Sequence, residues 1–486
     1  MAASVKFIDA VQLQRLRETF MFPEMKTLVR IAGVIAALSL AVAFASAQEM
    51  SLSAAPPDPQ ITAALAEISS SQIQRNIETL AGFYTRQTVS AGTPAMSGKG
   101  IDAAADWIDG EFRKYSSQCG DCLQVKTDQF IQQPGARVPE ATTITNVYAI
   151  LRGTDPANAD RIYLVTGHYD SRNSDPNGAG GAAPGANDDA SGTAVSLECA
   201  RVLSKHRFPA TIIFLTVAGE EQGLLGSAHF AKMLKAVGWN IEGVLNNDIV
   251  GGDRTPGDTL QDPHVVRVFS EGIQSTASEE ELKRIRALGG ENDGPSRQLA
   301  RYVADVAKVY LPLDKFHPLL VARHDRYLRG GDHFSFNEQG YPAVRFTEFR
   351  ENFNHQHQNV RTENGIEYGD LPKFVDYDYT ANVARLNAAT LASLASAPAP
   401  PQDVRLLTKA LQNDSTLKWK ASPGGLATGY EVLWRETTAS EWQHVQAVGS
   451  GTQATVAVSK DNVIFAVRAV DAKGHRSLAV PPQPER

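Results

Sequence analysis

Between residues 144 and 247 the chain alternates apolar runs with segments of helical periodicity, and nothing else in it constrains the fold so tightly. Ile162, Tyr163, Leu164 and Val165 form an almost unbroken apolar run, as do 212–217, which is the pattern of strands covered on both faces. Residues 144–151 suit a strand as well, with Val147, Tyr148 and Ile150 fitting a pleated surface. Between and after these runs, 191–203 and 226–237 repeat apolar residues at helical spacing, and 241–246 starts a further strand. Such alternation requires parallel strands joined by crossover helices. The expected fold is therefore α/β, a mixed, largely parallel sheet with helices on both faces. Helical patterns near Ile73 and Ile101 add cover to one face, the second presenting Ala104, Trp107, Ile108 and Phe112. Further on, 265–273 and 297–309 are predicted helical, 343–346 a strand and 379–394 a closing helix.

The flanks read differently. Lys26 and Arg30 precede an apolar run over 31–44, and Ala45-Ser46-Ala47 gives the small-x-small pattern of a signal peptidase site, with cleavage expected before Gln48 and Met25 the natural start. The run is shorter than the roughly 20 residues that span a bilayer, so residues 1–47 predict export to a secreted or periplasmic location without stable membrane insertion. Pro56, Pro57 and Pro59 make 48–67 an extended lead-in, and 68–395 is the catalytic domain. Residues 396–401, Ser-Ala-Pro-Ala-Pro-Pro, predict an exposed, stiff linker. A chain ending near Ala395 is then expected to fold and keep its site. Past the linker, Leu417 and Trp419, then Tyr430, Val432 and Trp434, then Phe465, Val467 and Ala469 follow period two, so 402–486 predict a small β-sandwich.

A chain of 486 residues, 42% hydrophobic, can bury a large core in more than one domain. A formal charge of -7 excludes a polybasic nucleic-acid binder. Cys119 and Cys122 are spaced for a short-loop disulfide or for half of a zinc site; no second CxxC completes the latter, which favours the disulfide. Cys199, on the apolar side of a helix, reads as a buried thiol.

Chemistry collects at the ends of the apolar runs. His168 and Asp170 follow the first, Glu220 and Glu221 the second, and Asp248 the third, while Asp188 lies in the glycine-flanked segment 184–192 and His357 further on. Neutral imidazole suits a borderline ion such as zinc, with Asp170 placed to fix the ring tautomer. A dinuclear site needs a bridging carboxylate, which Asp188 supplies, and a base, which one of two adjacent glutamates supplies. Each group has a plainer reading: Asp189 or Ser191 as a helix N-cap, His168 as a structural histidine, Glu220-Glu221 as a solvated helix start. A ligand-bearing loop and three strand ends that all carry potential ligands argue for a metal-dependent hydrolase.

Gly167-His168-Tyr169-Asp170, the segment 184–192, Ala218-Gly219-Glu220-Glu221-Gln222-Gly223, Asn247-Asp248 and Gly331-Asp332-His333-Phe334 resemble, in order and spacing, the motifs of the dizinc aminopeptidases of peptidase family M28, which include secreted bacterial leucyl aminopeptidases. The resemblance covers about residues 68–395 and implies two zinc ions: one held by His168 and Asp248, the other by Glu221 and His357, with Asp188 between them and Glu220 as general base. It also implies a cis bond between Asp188 and Asp189. His355 competes with His357, which its distance past the 346–348 strand end favours. Where the family carries a substrate-holding tyrosine near its Asp-His pair, this chain has Tyr327, Leu328 and Arg329. Asp332 and His333 are expected to begin a hydrogen-bonded strand, His317 and His324 to lie on the surface, and Arg323, Asp325 and Arg326 to supply no site pattern. The C-terminal segment resembles a fibronectin type III module, a non-catalytic appendage for a surface or polymer ligand.

The implied activity is hydrolysis of the N-terminal peptide bond of peptides with a free N-terminus. The alternatives are another zinc-dependent amide-directed enzyme, carboxypeptidase-like or glutaminyl cyclase-like, and a non-catalytic binding protein.

Overall fold

A computed structural model describes residues 56–93, 98–178, 180–312 and 315–486; the signal peptide expected over 1–47 lies outside them. The described chain opens with α1 (Pro59–Ala66), α2 (Ser70–Gly82) and α3 (Gly100–Gln118). Next come β1 (Leu123–Gln132), β2 (Thr142–Leu151), β3 (Arg161–His168), α4 (Ala190–Leu203), β4 (Thr211–Val217), α5 (Leu225–Ala236) and β5 (Asn240–Asn247). The catalytic part ends with β6 (Val265–Ser270), α6 (Glu279–Leu288), α7 (Pro295–Tyr310), β7 (His317–Val321), α8 (His333–Asn337), β8 (Ala343–Glu348), the hairpin β9 (Arg361–Glu363) and β10 (Ile366–Tyr368), and α9 (Tyr377–Ser396). β1 to β8 form one sheet in the order β1-β2-β4-β3-β5-β8-β6-β7. Its centre is parallel, β4 with β3, β3 with β5 and β5 with β8, and antiparallel pairings flank that centre.

The period of two in the central strands sorts their side chains onto opposite faces. Tyr163, Val165, Ile212 and Phe214 enter the larger core with Val195, Leu197 and Leu386 from α4 and α9. Ile162, Leu164, Ile213 and Leu215 face the other way, against Phe230, Ala231 and Leu234 of α5. Both faces are covered, as the unbroken apolar runs require.

Several expectations are corrected. The lead-in 48–67 is not wholly extended: Asp58 accepts the N–H of Gln60, Pro59 occupies the first helical position, and α1 buries Ile61, Ala64 and Leu65. Residues 265–270, expected helical, form β6, because Val265, Val266, Val268 and Phe269 suit a strand wedged between β7 and β8. Asp332 and His333 begin α8, not a strand. The segment 396–401 is not an exposed linker either. α9 runs to Ser396, Ala397 and Ala399 are buried, and the guanidinium of Arg161 donates to the carbonyl of Ala397 at 2.8 Å.

Cys119 and Cys122 are disulfide-bonded and Cys199 is buried. Among the described residues no helix is long and apolar enough to cross a membrane.

The C-terminal part contributes β11 (Gln402–Leu407), β12 (Ser415–Lys420), β13 (Gly429–Glu436), β14 (His444–Gly449), β15 (Gln453–Val456), β16 (Val463–Val470) and β17 (Gln483–Glu485). They make a four-stranded sheet, β15-β12-β11-β17, and a three-stranded antiparallel sheet, β14-β13-β16. Leu417, Trp419, Tyr430, Val432, Phe465 and Val467 form a core of their own. These sheets dock on α7 and the turn before it through charge: Arg435 reaches Asp293 at 2.7 Å and Arg468 reaches Asp305 at 3.2 Å. His475 joins Asp58, the cap of α1, at 2.9 Å.

Candidate metal centre

Because β4, β3 and β5 are parallel neighbours, the residues that follow them emerge side by side. His168 is the last residue of β3, Glu220 and Glu221 follow β4 through Ala218 and Gly219, and Asp248 follows β5. The loop carrying Asp188 arrives over them and ends in α4, whose N-cap is Asp189. Close approach is built in. A β-carbon on Gly192 would lie 2.2 Å from the carbonyl oxygen of Asn247, so only glycine lets the start of α4 settle on β5.

Asp188 stands at the centre. Its Oδ1 lies 3.2 Å from His168 Nε2 and its Oδ2 lies 2.9 Å from His357 Nε2. Asp248 Oδ1 is 3.9 Å from His168 Nε2, and Glu221 Oε1 is 3.0 Å from His357 Nε2. Two groups result, His168-Asp188-Asp248 and Asp188-Glu221-His357, each with its donor atoms within 4.8 Å of one another. His168 Nε2 and Glu221 Oε1 are buried and make no hydrogen bond, although ligand-type atoms of opposite kind stand close by. Atoms that converge on a common point without bonding to one another are arranged as a metal's donors are, so the residues present fit zinc.

The supports of this centre come from far apart in the chain. Asp370 accepts the N–H groups of Asn187 and Asp188 at 2.8 and 2.7 Å. Arg86, wholly buried, donates to the carbonyls of Leu80, Tyr169, Pro184 and Gly185. Asp170 accepts the N–H groups of Glu220 and Glu221 and lies 3.3 Å from His168 Nδ1, orienting the ring and the glutamates together. The bond between Asp188 and Asp189 is cis.

Electrostatics follow from crowding acids in a buried place. Burial opposes charge on Asp188, but the close approach of the His168 and His357 imidazoles outweighs that and holds it well below the usual carboxylate range. Glu220 is pushed well above that range by burial, with Asp248, Glu221 and Asp332 adding to the effect against His168. Burial likewise moves Asp332 up to about 7. For His357, burial lowers the pKa, yet the neighbouring Glu221 and Asp188 prevail and raise it to about 10. Such an arrangement stores negative charge that a cation relieves.

A family model, peptidase family M28, matches residues 146–377. A "Probable zinc metalloprotease" of Pyrenophora teres f. teres is 47% identical over 432 residues, covering 88% of each chain. One of Pyricularia oryzae is 47% identical over 440 residues, 89% of this chain and 86% of that one. The chain belongs to peptidase family M28. Among solved structures, the LapA aminopeptidase of Legionella pneumophila is 22% identical with a TM-score of 0.47, over 69% of this chain and 74% of that one.

In this M28 peptidase, a zinc metallopeptidase by family, the fold brings together every residue singled out as a ligand: His168, Asp188, Glu221, Asp248 and His357. Glu220 is beside them. His355 is elsewhere, paired through Nδ1 with Asp253 and stacked on Phe374 at 3.7 Å. His324 is half-buried, stacked on Phe334 at 3.8 Å and placed 3.0 Å from Asn337 Oδ1, which corrects its assignment to the surface. Sequence reasoning passed over Gln356, which donates to Asp188 Oδ2 at 2.9 Å, and Arg172, whose Nε lies 3.8 Å from Glu221 Oε2. It also set aside Asp325, which is buried and ion-paired with Arg345. A buried arginine inside the strand 343–348 was the one signal that a carboxylate had to be found for it.

Proposed function

We propose that this M28 peptidase is an aminopeptidase that hydrolyses the N-terminal peptide bond of peptides with two zinc ions and Glu220 as general base. The observation that carries the reading is the division of Asp188, one oxygen turned to each histidine. His168 and Asp248 would hold one ion, Glu221 and His357 the other, and Asp188 both. When bound, the zinc pair supplies Lewis acidity to the scissile carbonyl and to the attacking water. Glu220 takes a proton from that water as its oxygen bonds to the carbonyl carbon, then gives the proton to the departing amine nitrogen as the C–N bond breaks. Its carboxyl group ends unchanged. Asp170 fixes the backbone at Glu220 and so the reach of its carboxylate. The low pKa of Asp188 keeps it an anion throughout. The remaining acids near Glu220 favour a substrate that brings a cation, as a free α-amine does.

Zinc-loaded protein should hydrolyse unblocked dipeptides and leave their N-acetylated forms intact. Equal turnover of both would reject the exopeptidase assignment, and preferential action on C-terminal glutamate or cyclisation of N-terminal glutamine would name a different amide chemistry. We further read the C-terminal sheets as a fibronectin type III-like module and the protein as secreted or periplasmic. The leader pattern and the Cys119–Cys122 disulfide support that location. N-terminal sequencing of the mature protein tests it, with Gln48 the expected first residue.

A further inference from the structure

Arg345 is the third residue of β8, opposite Asn246 in the parallel pairing with β5, and its side chain is wholly buried. A guanidinium survives in such a place only where acceptors take up most of its N–H groups; both Nη atoms of Arg345 have them, and its Nε does not. Here Nη2 lies 2.9 Å from Asp248 Oδ1, while Nη1 donates to Asp325 Oδ2 at 2.9 Å and to the carbonyl of Gly330 at 2.8 Å. Asp325 stands outside both donor clusters. It is fixed in turn by the N–H and Nε of Arg326, at 2.5 and 2.9 Å. The packing leaves no slack. A β-carbon on Gly331 would come within 3.0 Å of Asp248 Oδ2 and 3.2 Å of Arg345 Nη1.

We propose that Arg345, itself anchored by Asp325, is the positioning residue that sets how Asp248 presents its carboxylate to zinc. The proposal rests on the dizinc reading above, which takes Asp248 as a ligand. Asp248 Oδ1, the oxygen nearer His168, is held by the guanidinium, so the carboxylate's rotation about the Cβ–Cγ bond is restrained before metal arrives. Two effects oppose each other. Sharing the carboxylate's charge weakens it as a donor, whereas holding it in one orientation removes a freedom that metal binding would otherwise take away. Loss of partners of this kind typically costs about 10–100-fold in metal affinity, so orientation is the larger effect.

The test uses the full-length, zinc-loaded protein and two variants. Arg345→Lys keeps the charge but lacks the fork that spans Asp248 and Asp325. Asp325→Asn leaves Arg345 in place and weakens its anchor, together with the bonds from Arg326, without replacing any candidate ligand. Zinc retention is measured against a competing chelator, and cobalt-substituted protein is examined by visible absorption, which reports ligand geometry. Arg345→Lys should lose about 10–100-fold in affinity for one ion, Asp325→Asn less, both with altered cobalt spectra, and excess zinc should restore kcat/KM. Folded variants that hold zinc as wild type does, with unchanged spectra, would overturn the proposal. Should Arg345→Lys not fold, Asp325→Asn decides alone. A wild-type protein that binds no zinc, or an Asp248→Ala variant that keeps both ions, sinks the dizinc reading and this proposal with it.

Discussion

Asp293 is where the C-terminal sheets and the peptidase share a charge. Its Oδ1 lies 2.7 Å from Arg435 Nη2 and 3.3 Å from Arg301 Nη1, and the three side chains are 9%, 1% and 3% exposed. Asp293→Ala would leave two guanidinia buried side by side. Each keeps carbonyl partners, Arg435 on Ala439 and Arg301 on Ser440, but neither keeps its counter-ion. Removing one member of a buried pair costs about 3–5 kcal/mol. The consequence for melting depends on what unfolds together. At roughly 2.1 cal/mol/K per residue, a unit of about 430 residues gains about 0.9 kcal/mol/K on unfolding, and a unit of about 85 gains about 0.18. With the docking charges intact we expect one transition by calorimetry, lowered by about 3–6 °C in Asp293→Ala. A separate early transition, roughly 17–28 °C lower and seen in the fluorescence of Trp419, Trp434 and Trp442, would mean that the sheets unfold on their own. A melting temperature unchanged from wild type would refute the reasoning. So would a double variant, Asp293→Ala with Arg435→Met, that is no more stable than the single one, because the cost is assigned to the stranded cation.

Ending the chain at Ser396 should yield insoluble or unstable protein, since Arg161, Asp293 and Asp305 lose partners beyond that point; a soluble, zinc-retaining product would restore the separable catalytic domain first expected. Glu220→Gln should lower kcat by about 10²–10⁴-fold while both metals stay bound, whereas Asp188→Asn should deplete both, as elemental analysis and steady-state kinetics will show. Gly192→Ala forces a carbon against Asn247 and Asp189 and should destabilise by about 1–3 kcal/mol, measured by denaturant unfolding. Burial lowers the pKa of His475, but Asp471 and Asp58 outweigh it and leave the folded value raised. Its stabilising share is therefore complete below the unfolded value of about 6.5 and fades as pH climbs through the folded one. The stability difference between wild type and His475→Gln should shrink with rising pH; a difference that grows would contradict the sign.

What could be read in the sequence was local. β3, β4 and β5 declared themselves because burial on both faces leaves unbroken apolar runs, and their ligands stand immediately after them. β6 misled because five apolar positions in 265–273 satisfy helical spacing too, and only its neighbours β7 and β8 decide the matter. β1 escaped notice since it is an edge strand, paired on one side, with Gln124, Lys126, Thr127 and Gln129 exposed among few apolar residues. Among the supports, Arg86 and Asp370 act through backbone groups more than 80 residues away, and no local pattern announces such a bond. The proline-rich segment 396–401 was misjudged for the same reason. Its composition says stiff, but whether a stiff segment is bare depends on Arg161, far upstream.

The loop that carries Asp188 takes its shape from Arg86 on one side and Asp370 on the other. As the chain leaves the ribosome, the first of these is present early, while His357 and the second arrive some 170 to 180 residues after the loop itself. Contacts so distant in sequence form late. A chain that stops short of Asp370 therefore has its central strands and most of its candidate ligands, but lacks one of the two supports that shape the Asp188 loop.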